Sequence, residues 1–298
     1  MNLFSFSYLV AIYFFFALFT NYNDLDVSTQ VLYTSVLILL FGVPHGALDN
    51  ILYVKEKKIS KLNFYIQYLS IIVLYSILWF ITPKISMLLF LLVSAFHFGE
   101  SHFSDYKIKL KYKKIFYFIW GVFLLSTLLF FNRNELINLS NNYIDTTIFI
   151  EIYSSKLIIP LFYLSLLTTL STLIFITRKN MISKNDLFSE IFQIGLIILT
   201  FYILPILIGF TLYFIFIHSF RSLYQEYNYL KKINLKLNIF KFIKLLLPHT
   251  LISFIFIVLI FSCSFNNIIN ISPSFLAIII ISTITLPHTF VMSNFLSK

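Results

Sequence analysis

Residues 273–296 read PSFLAIIIISTITLPHTFVMSNFL, twenty-four positions without a single Asp, Glu, Lys or Arg. A bilayer core needs roughly 20 mostly apolar residues per helix, so this stretch is long enough to cross one. Working outward from it, nine further apolar runs of similar length stand at 3–20, 31–51, 64–81, 85–103, 115–131, 157–177, 187–203, 206–224 and 243–263. The second continues to Tyr53 with Asp49 as its one charged residue, and 85–103 holds Glu100. The expected fold is an all-α polytopic membrane bundle of about ten transmembrane helices, with 1–298 as a single transmembrane domain. The weakest division is Leu204-Pro205, where a re-entrant arrangement is the alternative to two separate spans.

Composition agrees. Of the 298 residues 59% are hydrophobic and 11% charged, against roughly 25% charged in an ordinary soluble domain. Disorder is excluded by the same numbers, because the capacity for burial is very high. The 37 Phe, 19 Tyr and only 6 Gly argue against a glycine-rich barrel. One Cys removes internal disulfides and Cys-based zinc or iron–sulfur sites.

The excess of 22 Lys and Arg over 12 Asp and Glu invites a nucleic-acid reading, and position decides against it. With the amino terminus inside, nineteen of the 22 lie in or beside the inner loops 52–63, 104–114, 178–186 and 225–242 or at Lys298. Only Lys84, Arg133 and Lys156 fall outside. That asymmetry follows the positive-inside rule and predicts both termini on the cytoplasmic side of the cell's inner (plasma) membrane. Reporters fused at Lys109 and Asn141 should therefore report opposite sides, with Lys109 inside; agreement between them would overturn the topology. The first run has no Lys or Arg before its apolar core and no small-residue cleavage site before 21–24, so it is expected to be a retained helix.

All six His lie within or at the edge of these runs. Ionisable residues are costly inside a membrane and mark function by default. His45, His97, His218 and His288 sit on four runs that all pass from outside to inside. Each comes about 12 to 15 residues from its outer end, which at about 1.5 Å per residue is one depth. Four imidazoles at one depth can converge on iron, zinc, copper or nickel; a proton relay is the main competitor, and a single membrane His is often only an interhelix contact. His249 and His102 lie nearer the inner edge. Asp49 follows His45, and Glu100 follows His97, by about one helical turn, where a carboxylate orients a ligating ring. Arg221 is expected to snorkel to the inner headgroups. The aromatic surplus fits membrane packing, and it also fits a tunnel for a long conjugated hydrocarbon.

Four motifs carry a resemblance: GVPHGALD at 42–49, FHFGE at 96–100, YFIFIHSFR at 213–221 and LPH at 286–288. In this order and near this spacing they resemble the bacteriorhodopsin-related (Brp/Blh) family of membrane β-carotene 15,15′-dioxygenases. The resemblance implies a non-haem Fe(II) enzyme that cleaves β-carotene with O₂ into two retinals, within the lipid bilayer, with a retinal-binding opsin as a possible product acceptor. The family's iron ligands map onto His45, His97 and His218. Its fourth ligand, one turn beyond the third, falls on Ser222 here, and the Asp that often follows the His-Phe-Gly motif is replaced by His102. His288 is the first candidate for a fourth ligand on grounds of depth, with His102 and His249 behind it; a three-His site is the alternative.

Two other functions compete. A transporter or proton-coupled carrier would use the His layer as a relay, and its mark is broken helices paired between pseudo-symmetric halves; no such symmetry is visible in the sequence. A di-iron hydroxylase needs several closely paired His, and only His97 and His102 are close.

Overall fold

The computed structural model describes residues 3–21, 27–106, 108–109, 111 and 113–296. Positions 22–24, just past the first apolar run, and Lys107 and Lys298 of the charge pattern lie outside the described residues. The chain begins with α1 (Leu3–Asn21) and α2 (Val27–Leu37). A π-helical stretch, Ile38–Gly42, and a 3₁₀ turn, Val43–Gly46, then lead into α3 (Asp49–Lys57). Next come α4 (Lys61–Ile81), α5 (Pro83–Phe103) and α6 (Lys113–Phe131), followed by the short α7 (Arg133–Asn141) and α8 (Ile150–Tyr153). Helices α9 (Ile158–Arg178) and α10 (Lys184–Ile203) precede α11 (Ile206–Tyr213), a second π-helical stretch (Phe214–Ser219) and α12 (Phe220–Ile233). The last two are α13 (Ile239–Phe265) and α14 (Pro273–Leu296).

No strand occurs among the described residues. Nine of their helical spans are long and apolar enough to cross a membrane, and a shorter apolar helix covers Leu3–Leu18. This is the polytopic all-α bundle the sequence predicts. Thr29–Lys55 and Ile206–Ile233 each form one span although both are built from several helical pieces. Leu204 and Pro205 turn the chain in extended conformation, with α10 and α11 on either side in separate spans that are each long and apolar enough to cross a membrane. One boundary moves: the helix expected to end near 224 runs on to Ile233.

Local chemistry sets several of these limits. Ser183 and Asp186 form a reciprocal capping box at the start of α10, satisfying amides that have no partner within the helix. The Ser60 hydroxyl accepts from the Asn63 amide at the start of α4. Lys58, with φ 52°, stops α3 in left-handed conformation.

The loops sort to two ends of the bundle. At one end Lys84 pairs with Glu151, Arg133 donates to the Ser154 carbonyl, and the Ile206 and Ser272 amides donate to Glu135 and Asp145, each at 2.8 Å. At the other, Arg221 pairs with Asp105 (2.8 Å), and Gln225 donates to Ser104 and Asp105. These contacts gather the turns near 84, 132–154, 206 and 272 at one end and join 104–105 to 221 and 225 at the other. They also correct one expectation: Arg221 is buried and ion-paired rather than extended to headgroups.

The tightest seam joins α5 and α6. A Cβ on Gly99 would sit 1.8 Å from the Tyr117 carbonyl oxygen, and one on Gly121 would sit 1.7 Å from that of Ala95. The two glycines therefore let the backbones touch, as small residues do in membrane helix pairs. Since α5 also carries His97, this seam fixes the position of one candidate ligand. Gly99→Ala has no flexible neighbour to displace and should force the helices apart, at a cost of about 1–3 kcal/mol or more. A thermal melt in detergent should show the loss, and an unchanged melting temperature would contradict the packing.

Candidate metal centre

Both interrupted spans are interrupted at a histidine. In the first, the Val43 amide bonds to the Ile38 carbonyl, five residues back, and Pro44 then has no N–H to continue an α-ladder. The carbonyls released by this break find other donors. Ser219 Oγ donates to the Phe41 carbonyl at 2.5 Å, and His45 Nδ1–H donates to the Gly42 carbonyl at 2.5 Å. Gly42 lies against Phe214, whose ring a Cβ there would meet at 2.8 Å, so the first break packs directly on the second. His218 lies within that second π-helical stretch. Such distortions of a helix recur at functional sites.

The result is a closed ring of four imidazoles. Ring centroids are 5.1 Å apart for His45–His218, 4.8 Å for His218–His97, 5.1 Å for His97–His288 and 4.7 Å for His288–His45. Each ring meets its neighbours edge-on, and one nitrogen from each lies within 4.8 Å of the others. His97 and His218 are 2% exposed, His288 is 4% and His45 is 9%. Phe98 and Phe214 pack on the His218 ring at 5.0 and 5.4 Å, so its surroundings are aromatic.

The nitrogen bookkeeping favours a cation between the rings. Nδ1–H of His45 is held by Gly42, and that of His288 donates to both oxygens of Asp49 at 2.9 Å. In a neutral imidazole a donor nitrogen leaves the other with a free lone pair. His288 Nε2, His218 Nε2 and both nitrogens of His97 are buried with no hydrogen-bond partner among the described residues. Buried polar atoms rarely stay unpaired, and several pointing into one space need an explanation. A divalent transition metal, with bonds to imidazole of about 2.1 Å, fits this donor set.

Of the residues singled out in the sequence, His45, His97, His218 and His288 converge. Asp49 does hold a ring of the cluster, but that ring is His288 and not His45, and Tyr68 O–H donates to it from the other side at 3.0 Å. Glu100 does not reach His97; it accepts from Ser293 Oγ at 3.1 Å. Ser222 faces Ser101, 3.4 Å away, rather than the rings. His102 is taken up elsewhere, donating to Glu190 (2.6 Å) and stacking on Trp120 at 3.9 Å. The other Glu190 oxygen accepts from Tyr106 O–H at 2.7 Å. Burial, together with that carboxylate, pushes the Tyr106 phenol above its ordinary range, so it stays a donor. His249 is paired with Tyr65. Tyr68, one among 19 Tyr, had no signal in the sequence, and Ser219 stood only as a hydroxyl beside His218 in the third motif.

Comparison with known proteins adds an independent line. The sequence model of the family described as Beta-carotene 15,15'-dioxygenase matches residues 36–296, a range that includes all four converging histidines. A protein of that name from an uncultured marine bacterium, 66A03, is 34% identical over 84 residues, covering 26% of this chain and 30% of the relative. That match thus spans under a third of the curated relative's length. No solved structure matches the chain.

Proposed function

Because the chain belongs to the β-carotene 15,15′-dioxygenase family, we propose that it cleaves the central double bond of β-carotene with O₂, giving two molecules of all-trans-retinal, in the inner (plasma) membrane. The observation that carries this reading is the ring of four buried histidines drawn from four spans. His45, His97, His218 and His288 would hold Fe²⁺. When bound, ferrous iron supplies a redox-active centre at which O₂ is activated beside the polyene. The reaction balances without a further reductant: one C=C bond and one O–O bond break, and each new aldehyde carbon receives one oxygen atom.

The chain's own part is positioning and exclusion. Gly42 and Asp49 fix two of the rings by their N–H groups, so the opposite nitrogens face the centre. Phe98 and Phe214 present π-faces and edges where a conjugated hydrocarbon can lie, and their packing keeps water from the rings. Retinal leaving such a site enters the bilayer, where a retinal-binding opsin is a chemically suitable acceptor.

Coexpression in a β-carotene-producing bacterium tests the reading. The cells should bleach and retinal should accumulate. Unchanged carotenoid alongside well-expressed protein would overturn it.

A further inference from the structure

Two of the four rings are aimed by their own N–H groups, His45 at the Gly42 carbonyl and His288 at Asp49. His218 is aimed otherwise. Its Nε2 has no hydrogen-bond partner among the described residues, and Phe98 and Phe214 pack on its ring. Packing limits the tilt of a ring, but its place depends on the backbone that carries it, here a π-helical stretch. Bonds in such a stretch run i→i+5 instead of i→i+4. A return to α geometry would rotate His218 relative to the rest of the bundle.

Ser219 closes that stretch and is fully buried, at 0% exposure. A hydroxyl inside a helix often turns back to the carbonyl four residues earlier, as those of Thr34, Thr127 and Thr200 do. Ser219 instead reaches across to the first interrupted span and donates to the Phe41 carbonyl. A 3₁₀ turn would give that carbonyl the amide of residue 44, and residue 44 is Pro. Ser219 thus supplies a donor that the first break takes away. Contacts on either side extend the bond: the Phe41 and Phe220 rings meet edge-on at 5.5 Å, and Gly42 lies against Phe214. The His45 and His218 rings, one from each span, then meet at 5.1 Å.

We infer that Ser219 is a positioning residue of the metal centre, tying the two π-helical stretches together so that His45 and His218 hold their places before an ion arrives. It acts through the backbone of both spans and is not itself a ligand. The role rests on the four histidines holding a metal. Ser219→Ala takes the donor from the Phe41 carbonyl and lets each stretch relax separately. An ion must then draw His45 and His218 back together, and the lost preorganisation appears as lost affinity.

The test uses the purified full chain in lipid nanodiscs, stripped by chelator and titrated with Co²⁺, whose absorption bands report nitrogen coordination. Ser219→Ala should bind Co²⁺ about 10–100-fold more weakly, the range for residues that orient ligands, with bands changed in position or intensity. Ser219→Thr, which keeps the hydroxyl, should bind more tightly than Ser219→Ala. Melting of the metal-free proteins separates this role from plain packing. A lower melting temperature with the Kd and bands of the unmodified protein would overturn the inference, because Ser219 would then only stabilise the bundle. Failure of both variants to fold would overturn it in the same way, and so would Ser219→Thr binding no better than Ser219→Ala. Failure of the unmodified protein to develop the Co²⁺ bands would instead refute the metal centre itself.

Discussion

Alanine in place of any one of His45, His97, His218 or His288 is expected to abolish retinal formation while the protein remains in the membrane. Each ring is one of four donors in a single cluster, drawn from four different spans. Disturbing a residue that merely orients a ligand typically costs 10–100-fold in affinity or activity, so removal of a ligand should exceed about 100-fold. Truncation also leaves three imidazoles facing a cavity where a ligand was, in a cluster that is closed by contacts between neighbouring rings. Retinal yield normalised to membrane-inserted protein is the measurement. His288 is the discriminating member of the set. The resemblance implies a fourth ligand at Ser222, whose hydroxyl instead faces Ser101, whereas the His288 ring closes the cluster. Full activity in His288→Ala would leave a three-histidine centre and make the fourth ring incidental.

The second large effect is expected at Asp49. Its carboxylate is buried, takes the Nδ1–H of His288 through both oxygens, and is steadied by Tyr68. Asp49→Asn keeps the shape but removes the charge, and it allows the amide to present an N–H to the ring. The His288 tautomer is then no longer fixed, and metal affinity should fall by about 10–100-fold. Tyr68→Phe removes only one hydrogen bond to the same carboxylate and should fall short of Asp49→Asn. Titration with Co²⁺ measures all three proteins on one scale. Equal affinity of Asp49→Asn and the unmodified chain would show that His288 does not need its acid.

Much of the fold and the site was legible from apolar runs and charge. Span length and Lys/Arg asymmetry give nearly every helix, and common depth brings four histidines to one layer. Depth says nothing about rotation around each helix, so the sequence makes convergence an expectation and no more. The misread partner of Asp49 has a specific cause. Reading Asp49 as one turn beyond His45, on the same face, assumes an α-helix through 45–49. The chain there passes from a π-helical stretch through a 3₁₀ turn before α3 begins at Asp49. Each change of helix type rotates the residues beyond it, and Asp49 comes to face α14 instead. Glu100 fails differently. Its helix is regular, yet its side chain meets Ser293 across the α5–α14 contact. The continuation of α12 to Ile233 was hidden because polar residues past the end of an apolar run read as loop. The signal was present in the sequence: Leu223, Tyr227 and Leu230 repeat at helical spacing through that stretch.

X-ray absorption at the iron edge of the Fe²⁺-loaded protein tests the central claim most directly. Four imidazole rings around one ion predict a shell of nitrogen neighbours at about 2.1 Å, with the multiple-scattering pattern of four imidazoles, falling to three in His288→Ala. A shell with fewer than four imidazoles in the unmodified protein, or one unchanged by His288→Ala, would contradict it.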